Sequence, residues 1–177
     1  MTFHEEVLGF TSSLTQFVRE HDLPMELFAN PDHLAVKARD RNDFDAITAM
    51  WRQYALGGAI HAIDMDGRTL ATLQTKQSII TEPFGSVEWL EIMEPRAHKV
   101  GKGVVGLEHM EFYTPDLDEV TRQLLKHGVR DYDRESNPGH NWVSVVFNQG
   151  GQEIKFNDKP LAAVIRDEAD EGLGYTL

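Results

Sequence analysis

The sequence predicts an α+β fold: two βαβββ modules forming one curved, mixed sheet around a cup, with an N-terminal helical extension. Two observations predict it. First, "DHLAVKARDRNDF" from Asp32 aligns without gaps with "EHMEFYTPDLDEV" from Glu108. Acid then meets acid, His33 meets His109, Leu34 meets Met110, Val36 meets Phe112 and Asp40 meets Asp116. Second, strands in both halves divide into an apolar face and a face of ionisable groups. An internal repeat constrains topology more than any single element does.

Residues 3–21 read as an amphipathic helix, with Val7, Leu8, Leu14, Phe17 and Val18 at helical spacing. Pro24 limits it, and "ELFANPD" follows as a turn or short helical piece. Each repeat copy then reads as strand, turn and helix. Phe44, Ile47, Trp51 and Tyr54 form the apolar stripe of the first helix. Leu117, Val120 and Leu124 form that of the second, where Asp116 with Glu119 three residues on resembles a capping box. The helices are expected to stop at Gly57–Gly58 and at Gly128. Three strands complete each module. They are "GAIHAID", "RTLATLQTK" after a turn at Asp66–Gly67, and "SVEWLEIM", then "VRDYDRE", "HNWVSVVFN" and, after Gly150–Gly151, "QEIKFND".

The resulting division is an extension over 1–30, a first module over 31–97, a linker over 98–106, a second module over 107–165 and a tail over 166–177. The linker "HKVGKGVVG" is expected to pass near the site and lacks the order of a phosphate loop. The acidic "RDEADEG" is expected to be a solvated helix end or frayed, without function.

Composition narrows the functional classes. A chain of 177 residues suits one domain or two small, intimate halves, and 41% apolar content is enough for a core. No apolar run approaches the roughly 20 residues of a membrane span. The N-terminus lacks a basic stretch followed by an apolar run, so no signal peptide is expected. There is no cysteine, which excludes disulfides and thiolate ligands and fits a cytoplasmic location. The net charge of −12 argues against nucleic acid and anionic membrane surfaces as partners. The partner expected is a small-molecule ligand, for a monomer or homodimer.

A strand alternates faces with period two. His33, Ala35 and Lys37 oppose Leu34, Val36 and Ala38, and His109, Glu111 and Tyr113 oppose Met110 and Phe112. Trp89, Glu91 and Met93 oppose Leu90 and Ile92, and Glu153, Lys155 and Asn157 oppose Ile154 and Phe156. On a flat sheet the polar face would be ordinary surface. On a curled one, two histidines and a glutamate converge on the floor of a cup. The repeat favours the cup, because it relates His33 and His109 by a local two-fold axis.

The paired βαβββ pattern, the "DHLAV" and "EHMEF" strand starts and "EIMEP" at residues 91–95 resemble the vicinal oxygen chelate superfamily. That group includes glyoxalase I, extradiol dioxygenases and methylmalonyl-CoA epimerase. More narrowly, the leading helix, "DHLAVKA", "GLEHMEFYTP" and "IKFND" resemble the YecM family of bacterial proteins, over roughly residues 1–165. The resemblance implies that the first strands supply His33 and His109 as metal ligands and the last strand of the first module supplies Glu91. The matching position of the second module is Lys155, which cannot ligate while charged. Two histidines and one carboxylate suit Zn²⁺, Fe²⁺, Mn²⁺ or Ni²⁺, with positions open for water or a substrate oxygen.

Each residue also has a plainer reading. His33 and His109 can be structural, and Glu91 can pair with Lys155. Glu111 is the candidate catalytic group, a general base, with a fourth ligand or an imidazole-orienting partner as alternatives. Lys155 and Tyr113 are the candidate substrate contacts. Lys155 is expected to pair with Glu91, Glu111 or Glu153 when no ligand is present. Tyr113 also fits a core or rim position, and His140, in the loop "NPGHNW", can reach the mouth of the cup but reads better as a surface residue. His4, His21, His61, His98 and His127 receive no functional reading. The implied function is a divalent-metal-binding protein acting on a small oxygen-bearing metabolite, with isomerase, lyase and dioxygenase chemistry all open. The alternatives are a non-catalytic small-ligand-binding module with a degenerate metal site, and a structural protein without a small ligand.

Overall fold

The computed structural model describes residues 2–65, 67–100, 103–137 and 140–177. Parts of three expected features lie outside them: Asp66 of the first hairpin turn, residues 101–102 of the linker and residues 138–139 before His140. The elements in chain order are α1 (Phe3–Glu20), β1 (Pro31–Lys37), α2 (Arg41–Arg52), β2 (His61–Met65), β3 (Arg68–Ile80), β4 (Ser86–Met93) and β5 (Gly106–Tyr113). They continue with α3 (Leu117–Lys126), β6 (Asp133–Asn137), β7 (His140–Val146), β8 (Glu153–Asn157), α4 (Leu161–Asp170) and β9 (Gly174–Thr176).

Side-chain caps fix the helix starts. Thr2 and Glu5 form a reciprocal capping box on α1, with Thr2 N donating to Glu5 Oε2 at 2.6 Å and Glu5 N to Thr2 Oγ1 at 3.2 Å. The aligned acids of the repeat cap the two module helices, each by a single accepted bond and without the reciprocal one. Asp40 accepts from Asp43 N and Asp116 from Glu119 N, each at 2.9 Å. Gly128, at φ +82°, follows α3 as expected. By contrast, α2 stops at Arg52, and Gly57 and Gly58 shape a separate short turn over Leu56–Gly58.

The strands form one mixed sheet in the order β6-β7-β8-β5-β1-β4-β3-β2-β9. In each module the first strand runs parallel to the last, β1 with β4 and β5 with β8. The modules join where β1 and β5 pair antiparallel, so the seam carries the local two-fold axis. Leu34, Val36, Leu90, Ile92, Met110, Phe112, Ile154 and Phe156 build one face of the sheet. It packs under Phe10 and Leu14 of α1, Phe44 and Trp51 of α2, and Val120 and Leu124 of α3. At its centre Phe28 meets Phe112 at 5.2 Å and Phe156 at 5.6 Å between ring centroids. Burying one such ring contributes roughly 1.5–3 kcal/mol.

The acidic stretch is a helix end, one of the two forms expected of it, and the segment goes further. Residues 166–170 are the second half of α4, and the chain then adds β9 antiparallel to β2 at the sheet edge. Leu161, Val164, Ile165 and Glu168 of α4 line a cavity over the polar face of the sheet. A helix with Leu, Val and Ile at these positions has an apolar side to bury, and the concave face is where it is buried. No helix of the described residues is long and apolar enough to cross a membrane.

Candidate metal centre

Strand register assembles the polar floor. Across one row, Trp89 of β4, His33 of β1, Glu111 of β5 and Lys155 of β8 are successive neighbours. Across the next, Glu91, Ala35, His109 and Glu153 are neighbours. Glu111 therefore stands directly across from His33, where cross-strand side chains meet. In the repeat, the counterpart of Glu111 is Ala35, which is fully buried and brings no ionisable group to the floor.

His33, His109 and Glu111, all buried, each offer one donor atom within 4.8 Å of the other two. Glu111 Oε2 lies 3.5 Å from His33 Nε2 and 3.7 Å from His109 Nε2. The rings stand edge to face with centroids 5.8 Å apart. A tetrahedral ion with bonds near 2.1 Å separates its ligand atoms by about 3.4 Å, so the donor set fits a divalent cation.

Behind each imidazole stands the acid that precedes it in sequence. Asp32 Oδ2 is 2.9 Å from His33 Nδ1, and Glu108 Oε2 is 3.5 Å from His109 Nδ1. The first is a hydrogen bond. The second is an ionic approach only, and His109 Nδ1 is a buried nitrogen without a hydrogen-bond partner. A carboxylate on Nδ1 turns Nε2 toward a metal and raises the basicity of the ring. Asn157 Nδ2 donates to Glu111 Oε1 and fixes the shared carboxylate. Of these supporting groups, Asp32 and Glu108 were visible as the acid before each repeated histidine. Asn157 shares a face with Lys155 but has no motif of its own.

The charges are unequal. Desolvation opposes protonation of His33, but Glu111, then Asp32 and Glu91, outweigh it and raise the ring to about 9. Desolvation also disfavours charge on His109, and Lys155 and His33 add repulsion, so its pKa falls despite Glu108 and Glu111. Burial would raise the Glu111 carboxyl, yet His33, His109, Lys155 and Asn157 together hold it below its ordinary range. Glu108 shows the same balance: desolvation is outweighed by His109 and by Lys37 at 3.1 Å, which bring it to about 2.

The cavity above this floor has a volume of about 270 Å³. Glu91 and Lys155 line it with the three donors. Glu91 is not one of the group within 4.8 Å, since register sets it beside Ala35 rather than beside His33. Lys155 makes no ion pair among the described residues, so the pairing expected with Glu91, Glu111 or Glu153 is not formed. Tyr113 lies elsewhere. At the end of β5 it lines a separate depression with Asn30, Thr114 and the first turns of α3. His140 begins β7, stacks on Trp142 at 5.2 Å and lines the cavity, so it is not simply a surface residue. His61 bonds Glu168 of α4 at 3.0 Å. Arg68, Trp142 and the α4 residues line the cavity too, and no sequence motif pointed to them.

A family model described as YecM protein matches residues 2–168. The chain belongs to the YecM family. No curated protein matches the chain. Among solved structures, a structural-genomics protein titled EC4020 shares the YecM-family chain's fold at TM-score 0.68 and 17% identity, covering 93% of this chain and 90% of its own. Methylmalonyl-CoA epimerase of Streptomyces coelicolor, in complex with 2-nitronate-propionyl-CoA, matches at TM-score 0.52 and 22% identity, over 74% of this chain and 97% of the epimerase. The Mycobacterium tuberculosis epimerase matches at 0.51 and 19%, over 76% and 91%. The chain thus shares its fold with these epimerases.

Proposed function

We propose that this chain is a divalent-metal-dependent enzyme acting on a small oxygen-bearing molecule, with His33 Nε2, His109 Nε2 and Glu111 as the metal ligands. The convergence of these three buried donors, each histidine backed by its preceding acid, carries the reading. Zn²⁺, Fe²⁺, Mn²⁺ and Ni²⁺ all suit the set. When bound, the ion would polarise a carbonyl or enolate oxygen at its open positions.

The chain's own residues supply the rest. Asp32 orients His33, and Asn157 orients Glu111. Glu91 faces the cavity outside the ligand group, where it can take and return a proton. Glu111 and Glu91 thereby exchange the roles expected from sequence. Lys155 faces the same space as a substrate contact, while Trp142 and the apolar side of α4 exclude water. The reading includes a cytoplasmic monomer or homodimer, and the net charge of −12 supports small molecules over nucleic acid as partners.

Lys155, at the position matching Glu91, favours a second reading: a small-ligand-binding module whose metal site is degenerate. Isothermal titration of the metal-stripped protein with Zn²⁺, Mn²⁺, Ni²⁺ and, anaerobically, Fe²⁺ separates the two. The enzyme reading requires at least one ion to bind wild type more tightly than the His33→Ala/His109→Ala variant. If none does, the binding module is the better account.

A further inference from the structure

Of the cations that line the cavity, Lys155 and Arg68 come from opposite modules, and neither has a carboxylate within ion-pair distance among the described residues. Lys155 comes from β8, one strand beyond Glu111. Arg68 comes from the start of β3, two strands beyond His33. Its Nη1 has only the Met93 sulfur at 3.9 Å, and its Nε is buried without a hydrogen-bond partner. Glu168, an acid of the same cavity, is engaged by His61. A guanidinium nitrogen taken from water and left unbonded is costly. In a chain with 29 acidic and 17 basic residues, carboxylates to quench both cations are plentiful. Two cations without one imply that the anions come from the ligand.

We infer that the molecule bound here is a small dicarboxylic acid carrying a hydroxyl or carbonyl oxygen next to one carboxylate. This rests on the metal reading above for the oxygen, and on Lys155 and Arg68 for the two charged ends. The carboxylate beside that oxygen lies near Glu111's row, within reach of the Lys155 ammonium. The distal carboxylate meets Arg68, whose planar fork pairs with carboxylates through two parallel hydrogen bonds. Four strand spacings of about 4.8 Å separate the β8 and β3 backbones around the curve of the sheet. Both side chains nevertheless line the one cavity, so a single small molecule can meet both. The cavity volume, about 270 Å³, sits at the small end of ligand sites and suits such an acid.

The test is isothermal titration of the metal-loaded protein with 2-oxoglutarate and L-malate, beside pyruvate, dimethyl 2-oxoglutarate, succinate and propionyl-CoA. The two dicarboxylates should bind best. Pyruvate and the diester should lose roughly 10- to 100-fold, the value of a charge-assisted contact. Succinate, without the metal-directed oxygen, should also bind more weakly. Lys155→Gln and Arg68→Gln should each weaken 2-oxoglutarate by a similar factor while metal affinity is retained, and exposed Lys126→Gln should change neither. Arg68→Lys, checked by its melting curve, keeps the charge if Arg68→Gln does not fold. Equal affinity for pyruvate and 2-oxoglutarate, tighter binding of propionyl-CoA than of either dicarboxylate, or no loss in the variants overturns the proposal. If wild type binds no metal, the metal reading fails by itself. The dicarboxylate proposal is then decided by the same variants in metal-free protein.

Discussion

Asp32 and Leu161 are joined by a hydrogen bond across 129 positions of sequence, the backbone N of Leu161 donating to Asp32 Oδ2 at 3.0 Å. The same oxygen lies 2.9 Å from His33 Nδ1. One carboxylate thus orients a candidate metal ligand and anchors the first turn of the helix that covers the cavity.

Asp32→Asn should therefore do two things at once. Outer-shell partners of this kind are typically worth 10- to 100-fold in metal affinity, and a loss in that range is expected by titration. Amide exchange in residues 161–170 should also accelerate, because the α4 start loses its charged acceptor. Metal affinity within twofold of wild type would remove Asp32 from the site.

Ligand and proton carrier can be told apart by conservative amides. Glu111→Gln should cost at least 100-fold in metal affinity, and Glu91→Gln less than tenfold. Once a substrate is in hand, Glu91→Gln should reduce kcat with the metal still bound. The opposite pattern, with Glu91→Gln releasing the metal, would restore the ligand set expected from sequence.

The pH dependence has a definite sign. Folded His33 titrates near 9, above its ordinary 6.5. In the metal-free protein this stabilises the fold fully below pH 6.5, and the gain is lost as pH rises through about 9. Its size is on the order of 3 kcal/mol. The same proton competes with a metal. Apparent affinity should fall as pH drops below about 9, well above the unshifted histidine range near 6.5. Melting curves and metal titrations from pH 6 to 10 check both, and His33→Gln should flatten the melting profile. A metal affinity constant from pH 9 down to pH 7 would contradict the assignment.

Gly174 tests the C-terminal cover. A Cβ there would fall 1.9 Å from Cε1 of His61, the residue that bonds Glu168. Gly174→Ala should displace that ring, loosen β9 from β2 and destabilise the protein by roughly 1–3 kcal/mol. Exchange should speed up across 161–176 more than in β1 or β5. Unchanged melting and exchange would mean that the ring has another place to go.

Much of the fold was legible because it is periodic. Alternation in "EHMEF" sorted His109 and Glu111 from Met110 and Phe112, and the repeat carried the same division to His33. Which glutamate joins the histidines was not legible. That depends on the register of β1 against β5 and β4, which sets Glu111 beside His33 and Glu91 beside Ala35. Tyr113 obeyed the alternation, yet at the strand end it lies with the start of α3 rather than over the floor. The role of α4 was hidden more deeply. An acidic, short helical stretch looks solvated until the chain returns to the concave face and gives Leu161, Val164 and Ile165 a surface to cover.

The mismatch between Glu111 and Ala35 has a stereochemical consequence. A centre on a two-fold axis with identical halves would present the same surroundings to a bound molecule and to that molecule turned over. With a carboxylate on one half and a methyl group on the other, and Glu91 answered by Lys155, the two approaches differ in charge and in room. On the metal-dependent reading proposed above, one of the two orientations of a bound molecule is favoured over the other.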